Sequence, residues 1–506
     1  MSEHDRDSLR EESFDSYLES SMPELPPDDV VYEVTPWRKA MNRVLTGLAL
    51  STITLSFLCL NYILPAIGAL LSLLGFRTLR GENGWFRCCW FITLLRTAFS
   101  FPFLILNATR FQSAVYALPV THTLTYISLA LQFLLFLCLW RALLAVRRKA
   151  GLPAHAAGAV AMLVWYGVVC LLAVQQYSGL FVMLLLLVIY VLILRSLYRL
   201  SGELDEAGYA IRAAAVHIPD RAVLTAVLSV LTAGILCGYL FFSRYPMNWQ
   251  PVESTGGREV EQVREQLLDL GFPETVLNDL TDEDILACRG ALRVVADTEY
   301  YPLNNGRTEV EQSGNDTYHY TVYDVKELQI TGVAVELPGQ QEQWMIFHHF
   351  LWTADTGFYG TESIQLWPAY QNSEGWEAVG DVSGRVLYDR DGRSYAASYY
   401  SLSTETYTYS SFFSGTQTAT DVFAAFSMPR KGENQRGYLS YTIGEIEDGW
   451  IINSWINYTH QQCWLQYPVK TAMETRMSNN LNDSGAFKTI QDALQFRADE
   501  DGVELY

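Results

Sequence analysis

Long apolar runs alternate with short polar loops in the first half of the chain. A membrane-spanning helix needs about 20 mostly apolar residues. Segment 85–107 is a weak candidate, because Arg96 and Pro102 interrupt its apolar character. Four other segments meet the requirement cleanly, namely 122–142, 156–176, 179–199 and 222–243. The pattern therefore predicts a transmembrane helical region over residues 37–244.

The first apolar run, 44–76, is too long for one upright helix. Asn61 and Pro65 lie near its middle, and proline interrupts the backbone hydrogen bonds of a helix. We therefore predict two short helices, 44–60 and 62–76. The pattern leaves open whether both cross the bilayer or form a re-entrant hairpin. Counted with the other segments, they give about seven spans.

The second half of the chain changes character. Residues 245–300 are predicted to form a juxtamembrane helical subdomain, because apolar residues recur at helical spacing from 258 to 296. Its Leu-Gly-Phe-Pro turn resembles that of small three-helix ubiquitin-associated modules, which implies a similar local fold. Residues 301–470 contain short runs rich in Tyr, Val, Ile and Thr, punctuated by Gly, Asp and Asn, which is typical of an antiparallel β-sandwich. The C-terminal tail, 471–506, is predicted to carry one closing helix over 484–497.

Charge divides the chain in the same way. Residues 1–36 carry 11 acidic and 2 basic side chains, and residues 245–506 carry 39 acidic and 16 basic ones. Residues 37–244 carry 5 acidic and 17 basic side chains. The net charge of −23 on the C-terminal part disfavours nucleic acid as a partner.

Together, the apolar runs and the strand-like runs predict the fold class. The expected fold class is an α-helical membrane bundle of about seven spans, followed by an extracytoplasmic α+β region dominated by an antiparallel β-sandwich.

The basic residues predict the orientation in the membrane. With the spans above, 14 of the 17 basic residues of the membrane region fall in loops on one side and 2 on the other. Cytoplasmic loops carry an excess of Lys and Arg. We therefore expect a multi-pass protein of the plasma membrane, with a cytoplasmic N-terminus and an extracytoplasmic C-terminal domain.

The acidic tail, 1–36, is expected to be disordered, because it lacks a bulky apolar core. Phe14, Tyr17 and Leu18 nevertheless interrupt its acidic run. Alternating acidic and apolar residues suit a segment that folds on a cytoplasmic protein partner. A solvated tail without a partner is the alternative reading.

Arg96 is the one costly charged residue of the predicted spans, because the other arginines within their bounds lie near the span ends. All five acidic residues of the membrane region fall in predicted loops, which disfavours a proton-coupled transporter. An intramembrane arginine indicates either a binding or gating site, or a side chain that snorkels or pairs within the bundle. The last span contains Gly234 and Gly238 in a GxxxG pattern, which favours close helix packing inside the bundle or in a dimer.

No catalytic, cofactor or metal motif is present in the sequence, so the chain is not expected to be an enzyme. Asp389-Arg-Asp-Gly392 resembles the start of a calcium loop, but its glycine is misplaced and a hairpin turn fits better. His348 and His349 are adjacent and would point to opposite faces of a strand. Cys288 and Cys463 are the only cysteines of the C-terminal domain, and the sequence leaves their pairing open.

Two segments carry a family resemblance. DDVVYEVTPWRKAMNR precedes the first helix and LGFPETVLNDLTDEDILACRGA follows the last. Together they resemble uncharacterised polytopic membrane proteins of gut-type Firmicutes, and the resemblance implies a bacterial plasma membrane without implying an activity. The leading functional hypothesis is a membrane protein with an extracytoplasmic domain that binds or senses a ligand. A transporter or transporter subunit is the alternative, and a cell-envelope enzyme is a further one.

Overall fold

The computed structural model describes the following residues: 36–52, 59–175, 179–209, 211, 218–253, 256–313, 316–354, 357–367, 375–411, 415–446, 451–478, 485–499 and 502–506. The docking residues predicted in the tail, Phe14, Tyr17 and Leu18, lie outside them. The chain divides into two compact units. The helical unit runs up to Leu106 and continues over Ser113–Ile235, whereas the β-rich unit combines Asn107–Gln112 with Leu236–Tyr506.

Helices make up the first part of the chain. They are α1 (Pro36–Thr52), α2 (Leu60–Leu79), α3 (Gly84–Leu106), α4 (Gln112–Tyr116), α5 (Pro119–Lys149), α6 (Ala157–Val174), α7 (Leu180–Glu206) and α8 (Asp220–Phe242). Among the described residues, six helices (α2, α3 and α5 to α8) are long and apolar enough to cross a membrane. This number is close to the predicted seven. The helix α1, with 17 described residues, lies at the lower limit of the length that a span requires, and an orientation with the two termini on opposite sides needs it as the seventh span.

The predicted pair of short helices over 44–76 corresponds to α1 and α2, although α1 begins earlier, at Pro36. The two helices pack closely because glycines line their contact. A Cβ atom added to Gly47 would lie 2.6 Å from the carbonyl oxygen of Gly68, and one added to Gly75 would lie 2.7 Å from that of Ala40. Small residues allow membrane helices to approach in this way.

Ion pairs join the helix ends at one end of the helical unit. The residues that form them lie in the first half of α1, at the beginning of α8, and at or just beyond the ends of α2, α5 and α7. The pairs are Arg38–Asp205, Arg43–Asp220, Arg77–Asp220, Arg147–Glu203 and Lys149–Glu82, with N–O distances from 2.5 to 3.4 Å. Four of the five acidic residues of the membrane region are therefore engaged at this end.

The β-rich unit begins with β1 (Gln250–Pro251) and three short helices, α9 (Arg258–Asp269), α10 (Glu274–Leu277) and α11 (Asp282–Ala287). The strands that follow are β2 (Val294–Tyr301), β3 (Arg307–Ser313), β4 (Asp316–Val322), β5 (Leu328–Leu337), β6 (Gln343–Trp352), β7 (Glu362–Trp367), β8 (Trp376–Arg390), β9 (Arg393–Ser398), β10 (Ser401–Ser411), β11 (Gly415–Phe426), β12 (Glu433–Glu445) and β13 (Ile452–Gln461). The unit ends with α12 (Ala472–Met477), β14 (Phe487–Asp499) and β15 (Gly502–Leu505).

Antiparallel sheets dominate this unit, as the sequence predicted. A seven-stranded sheet has the order β1-β9-β8-β12-β6-β5-β2, and a six-stranded sheet has the order β10-β11-β7-β13-β14-β15. Strands β3 and β4 form a separate hairpin. One hydrophobic core contains side chains of both large sheets, for example Ile346 and Leu439 of the first and Ile364 and Ile456 of the second.

The three helices α9 to α11 cover the other face of the seven-stranded sheet. Their apolar side chains, such as Leu267 and Phe272, share a core with Val333 and Phe347 of the sheet. Asp279 connects this layer to the sheet through polar contacts. Its carboxylate accepts hydrogen bonds from Arg436 and His349 at 2.8 to 2.9 Å. The sheet is therefore buried on both faces.

Two predicted helical segments are strands. The helix expected to reach residue 296 ends at Ala287, because Gly290 turns the chain with φ 76° and the β-branched Val294 begins β2. The closing helix expected over 484–497 is β14. Phe487, Ile490 and Leu494 mimic helical spacing, but pairing with β13 from Phe487 to Phe496 decides the conformation.

Other local predictions are confirmed. Asp391 and Gly392 form a tight hairpin turn between β8 and β9, with φ angles of 52° and 70°. His348 and His349 point to opposite faces of β6, because His348 bonds to Ser454 of the facing sheet and His349 to Asp279. Cys288 and Cys463 are both free thiols.

Candidate functional site

Arg96 lies deep within an apolar helix. It is the thirteenth of the 23 residues of α3, a helix about 34 Å long at 1.5 Å per residue. In a membrane such a position is far from either aqueous surface. The sequence singled out Arg96 for this reason, and the structure shows what surrounds it.

Arg96 lines a cavity of about 240 Å³ inside the helical unit. Side chains of α1, α2, α3 and α5 form its walls, and nine of the sixteen are polar. Besides Arg96, the polar ones are Ser51, Asn61, Tyr62, Ser72, Thr93, Thr97, Ser100 and Ser128. A concentration of hydroxyl groups around a guanidinium is unusual for the interior of an apolar bundle, where each polar group requires a partner.

Three hydrogen-bond donors in this cavity have no partner among the described residues. They are the Ser72 hydroxyl, the Thr93 hydroxyl and the Nε of Arg96, and all three atoms are buried. The side chains of Ser72 and Thr93 are each only 3% exposed. By contrast, Thr97 donates to the carbonyl oxygen of Thr93 at 2.8 Å. Buried donors normally find acceptors, and the described residues supply none to these three atoms.

No carboxylate among the described residues of the helical unit forms an ion pair with Arg96. The five acidic residues between 37 and 244 all belong to helix ends or loops, and four of them pair with other basic residues. Within the described residues Arg96 has no ion pair. The cavity therefore combines one positive charge with unpartnered donors, an arrangement that is complementary to a small anion.

Gly234 contributes to packing within the helical unit. A Cβ atom added to Gly234 would lie 2.6 Å from the Cδ1 of Ile105, so the glycine makes room for α3 against α8. Gly238 is also buried. Neither glycine lines the Arg96 cavity.

The β-rich unit contains a second polar centre that the sequence did not indicate. His460 on β13 and Glu362 on β7 form a buried pair, with the Nδ1 of His460 2.9 Å from a carboxylate oxygen of Glu362. His460 also lines a cavity of about 630 Å³, together with Asn304, Glu327 and Gln462. The Glu362 carboxylate therefore fixes the orientation of the imidazole ring.

The walls of this second cavity carry both charges, with Asp324 and Glu327 opposed by Arg307, which pairs with Asp324 at 2.8 Å. Glu327 accepts hydrogen bonds from the backbone of Leu303 at 2.7 Å and from Asn304 at 2.5 Å. Burial alone would raise the pKa of Glu327, but these hydrogen bonds lower it. Among the described residues no group of three His, Cys, Asp or Glu side chains is arranged to hold a metal ion.

Comparisons with known proteins establish no family for the chain. No protein-family model matches it, and no curated protein matches it in sequence. Solved structures of toxins give weak matches at 8% sequence identity. A "Pore forming protein" and the Clostridium perfringens delta-toxin each cover 40% of this chain with a TM-score of 0.18, over 100% and 98% of their own lengths. The membrane-inserted Clostridium perfringens NetB toxin covers 42% of this chain and 100% of its own, with a TM-score of 0.16. Scores this low show no common fold.

Proposed function

We propose that this protein is an integral membrane transporter that binds a small anion beside Arg96. The observation that carries the proposal is the Arg96 cavity, whose lining includes a guanidinium without an ion pair and two hydroxyl groups without a hydrogen-bond partner among the described residues. The sequence supported a transporter only through its span count and Arg96. The cavity adds a site in which a solute can bind.

Electrostatics favours an anion as the ligand. A charged side chain at the centre of a bilayer costs at least about 2.5 kcal/mol, and its cost falls when an opposite charge neutralises it. Arg96 has no acidic partner among the described residues, so a bound anion would supply one. Ser72 and Thr93 would donate to the remaining oxygen atoms of a carboxylate or an oxyanion.

The position of the cavity favours transport over static binding. Transporters bind their substrates near the middle of the membrane, between helices that are often interrupted. Here α2 contains Pro65, which lines the cavity, and α3 contains Pro102. The volume of about 240 Å³ is below the range of drug-sized ligand pockets and suits a small carboxylate, phosphate or sulfate.

We further propose that the N-terminus is cytoplasmic and that the β-rich unit is an extracytoplasmic β-sandwich in a bacterial plasma membrane. The 14-to-2 bias of basic residues between loops supports this orientation.

Ligand capture or sensing by the β-rich unit is a second candidate function, favoured by the cavity of about 630 Å³ beside His460. Both functions are non-enzymatic. Phe14, Tyr17 and Leu18 would then be available to a cytoplasmic partner.

The experiment is uptake by vesicles that contain the purified full-length protein. Labelled acetate, lactate, phosphate and sulfate would be offered one at a time. We expect wild-type protein to take up at least one of them, Arg96→Gln to abolish that uptake, and Arg96→Lys to retain part of it. Arg195→Gln is the matched control, because Arg195 is an exposed residue of α7 outside the cavity.

The outcomes separate transport from sensing. Binding that depends on Arg96 without uptake would favour a sensor, and neither binding nor uptake of any anion would overturn the proposal. Orientation is tested separately, in a cysteine-free background, with a membrane-impermeant thiol reagent applied to intact cells. Arg393→Cys should be labelled and His155→Cys protected; the reverse pattern would refute the orientation.

A further inference from the structure

A cavity of about 500 Å³ lies where α8 ends. The last residues of the helix, Phe241 and Phe242, line it and expose 72% and 48% of their surface. Beyond them the chain becomes polar and leads into β1. The helix α8 is apolar and long enough to span a bilayer, and a spanning α8 would place this cavity at the level where hydrocarbon gives way to headgroups.

Two arginines form the polar part of this cavity. The backbone N–H of Arg110 donates to the carbonyl oxygen of Phe242 at 2.9 Å, and its guanidinium donates to the carbonyl oxygen of Arg244. The guanidinium of Arg244 in turn donates to the carbonyl oxygen of Met428, while its Nε is buried without a partner. Backbone contacts therefore hold both cations in place and leave donors free.

Aromatic rings fix the guanidinium of Arg110 from several sides. Its central carbon lies 4.5 Å from the ring centre of Phe111, 5.4 Å from that of Tyr400 and 5.9 Å from that of Tyr245. Tyr245 and Tyr400 are stacked on each other at 4.5 Å. Such contacts orient an arginine without neutralising its charge.

The charge of the cavity is opposite to that of its surroundings. Its lining includes Arg110 and Arg244 and no acidic residue. Burial, and then the neighbouring charge of Arg430, lower the pKa of Arg244, whereas the charge of Glu362 raises it. None of these three arginines has an ion pair among the described residues. Yet the chain from 245 onwards carries a net charge of −23.

We propose that this cavity binds the phosphate of an anionic phospholipid, with Arg110 and Arg244 as the two donors. Guanidinium groups match phosphate oxygens in charge and geometry. The apolar walls, formed by Leu240, Phe241, Phe242 and Met247, would contact the first carbons of the acyl chains. These walls favour a lipid over free inorganic phosphate. The site is separate from the Arg96 cavity and does not depend on the transport proposal.

The test uses full-length protein in nanodiscs of phosphatidylcholine, with or without phosphatidylglycerol. We expect phosphatidylglycerol to raise the temperature of unfolding and to be retained in native mass spectra. Arg110→Gln and Arg244→Gln should each weaken its retention roughly tenfold, which corresponds to about 1.4 kcal/mol. Arg393→Gln, an exposed arginine elsewhere in the same unit, and Arg96→Gln should leave the retention unchanged.

Two outcomes would contradict the proposed lipid site. Unchanged phosphatidylglycerol preference in both cavity variants would overturn the proposal. Equal stabilisation by inorganic phosphate, abolished by the same variants, would show a phosphate site instead of a lipid site. If a variant does not fold, a photoactivatable phosphatidylglycerol analogue tests the wild type directly. Its crosslinks should map to Phe241 and Phe242, and crosslinks confined to other spans would refute the assignment.

Discussion

His460 and Glu362 are paired directly across β13 and β7, and both side chains are completely enclosed by the β-rich unit. The imidazole ring of His460 packs against Trp352 and Phe358, with ring centres 4.8 and 5.7 Å apart. The hydroxyl of Tyr458 accepts a hydrogen bond from Trp352 at 3.1 Å and donates to Glu362. Burial, reinforced by the charge of Glu362, raises the pKa of this tyrosine.

Loss of the Glu362 charge should destabilise the protein strongly. Removing one member of a buried polar pair leaves the other without compensation and costs about 3 kcal/mol or more. We expect Glu362→Ala to lower the temperature of thermal unfolding in detergent far more than Glu377→Ala, which alters an exposed glutamate of β8. If the two variants unfolded alike, the pair would contribute little to stability.

The burial of His348 predicts a pH dependence of stability. Burial lowers the pKa of His348 to about 3, whereas a histidine in the unfolded chain titrates near about 6.5. Between these two pKa values the unfolded state binds more protons than the folded state. The contribution of His348 to the free energy of unfolding is therefore fully present above about pH 6.5 and is lost as the pH falls towards the pKa of the folded state. The loss is at most about 1.4 kcal/mol per pH unit.

His348→Gln is the variant that checks this prediction. Glutamine can keep a hydrogen bond to Ser454, the partner of His348 at 2.6 Å, but it does not titrate. We expect the unfolding temperature of this variant to fall less between neutral and acidic pH than that of the wild type. His319→Gln, at an exposed position of β4, should behave as the wild type does. An unchanged pH profile in His348→Gln would contradict the assignment.

Asp279 should hold the helical layer on the seven-stranded sheet. Its carboxylate is 4% exposed and contacts both Arg436 and His349. Asp279→Asn should lower stability by about 3 kcal/mol, because Arg436 would lose a buried counter-charge. Limited proteolysis should then cut the segment 256–291 earlier than in Asp269→Asn, which changes an exposed residue of α9. Equal rates of cleavage would show that the apolar contacts suffice.

Glycine contacts should determine whether α1 and α2 pack. Gly47→Leu would place a side chain against the backbone of Gly68, where a Cβ atom already approaches within 2.6 Å. We expect this variant to aggregate during size-exclusion chromatography in detergent. Gly167→Leu is the control, because Gly167 of α6 has open space at the same position. Monodisperse elution of both variants would show that the helix pair tolerates separation.

The sequence predicted those parts of the fold that depend on local composition. Apolar length identifies the spanning helices, and a charge within such a run identified Arg96. The sequence did not predict the cavity, because Ser72 and Thr93 belong to different helices and lie close together only when these helices pack. Glu362 and His460 are 98 residues apart, and strand register alone makes them neighbours. The strand β14 was misjudged because pairing with β13 outweighs its helix-like spacing.

The composition of the β-rich unit from two chain segments has a consequence for biogenesis. The backbone of Val469 donates to the carbonyl oxygen of Asn107 at 2.7 Å, and Arg110 is held by Phe242 and Arg244. The segment Asn107–Gln112 is therefore synthesised well before the residues that it contacts, and four long helices, α5 to α8, are synthesised in between. This segment cannot form its contacts with Phe242, Arg244 and Val469 until the C-terminal part of the chain has been synthesised. Completion of the β-rich unit would thus report that the intervening helices have been inserted in their correct order.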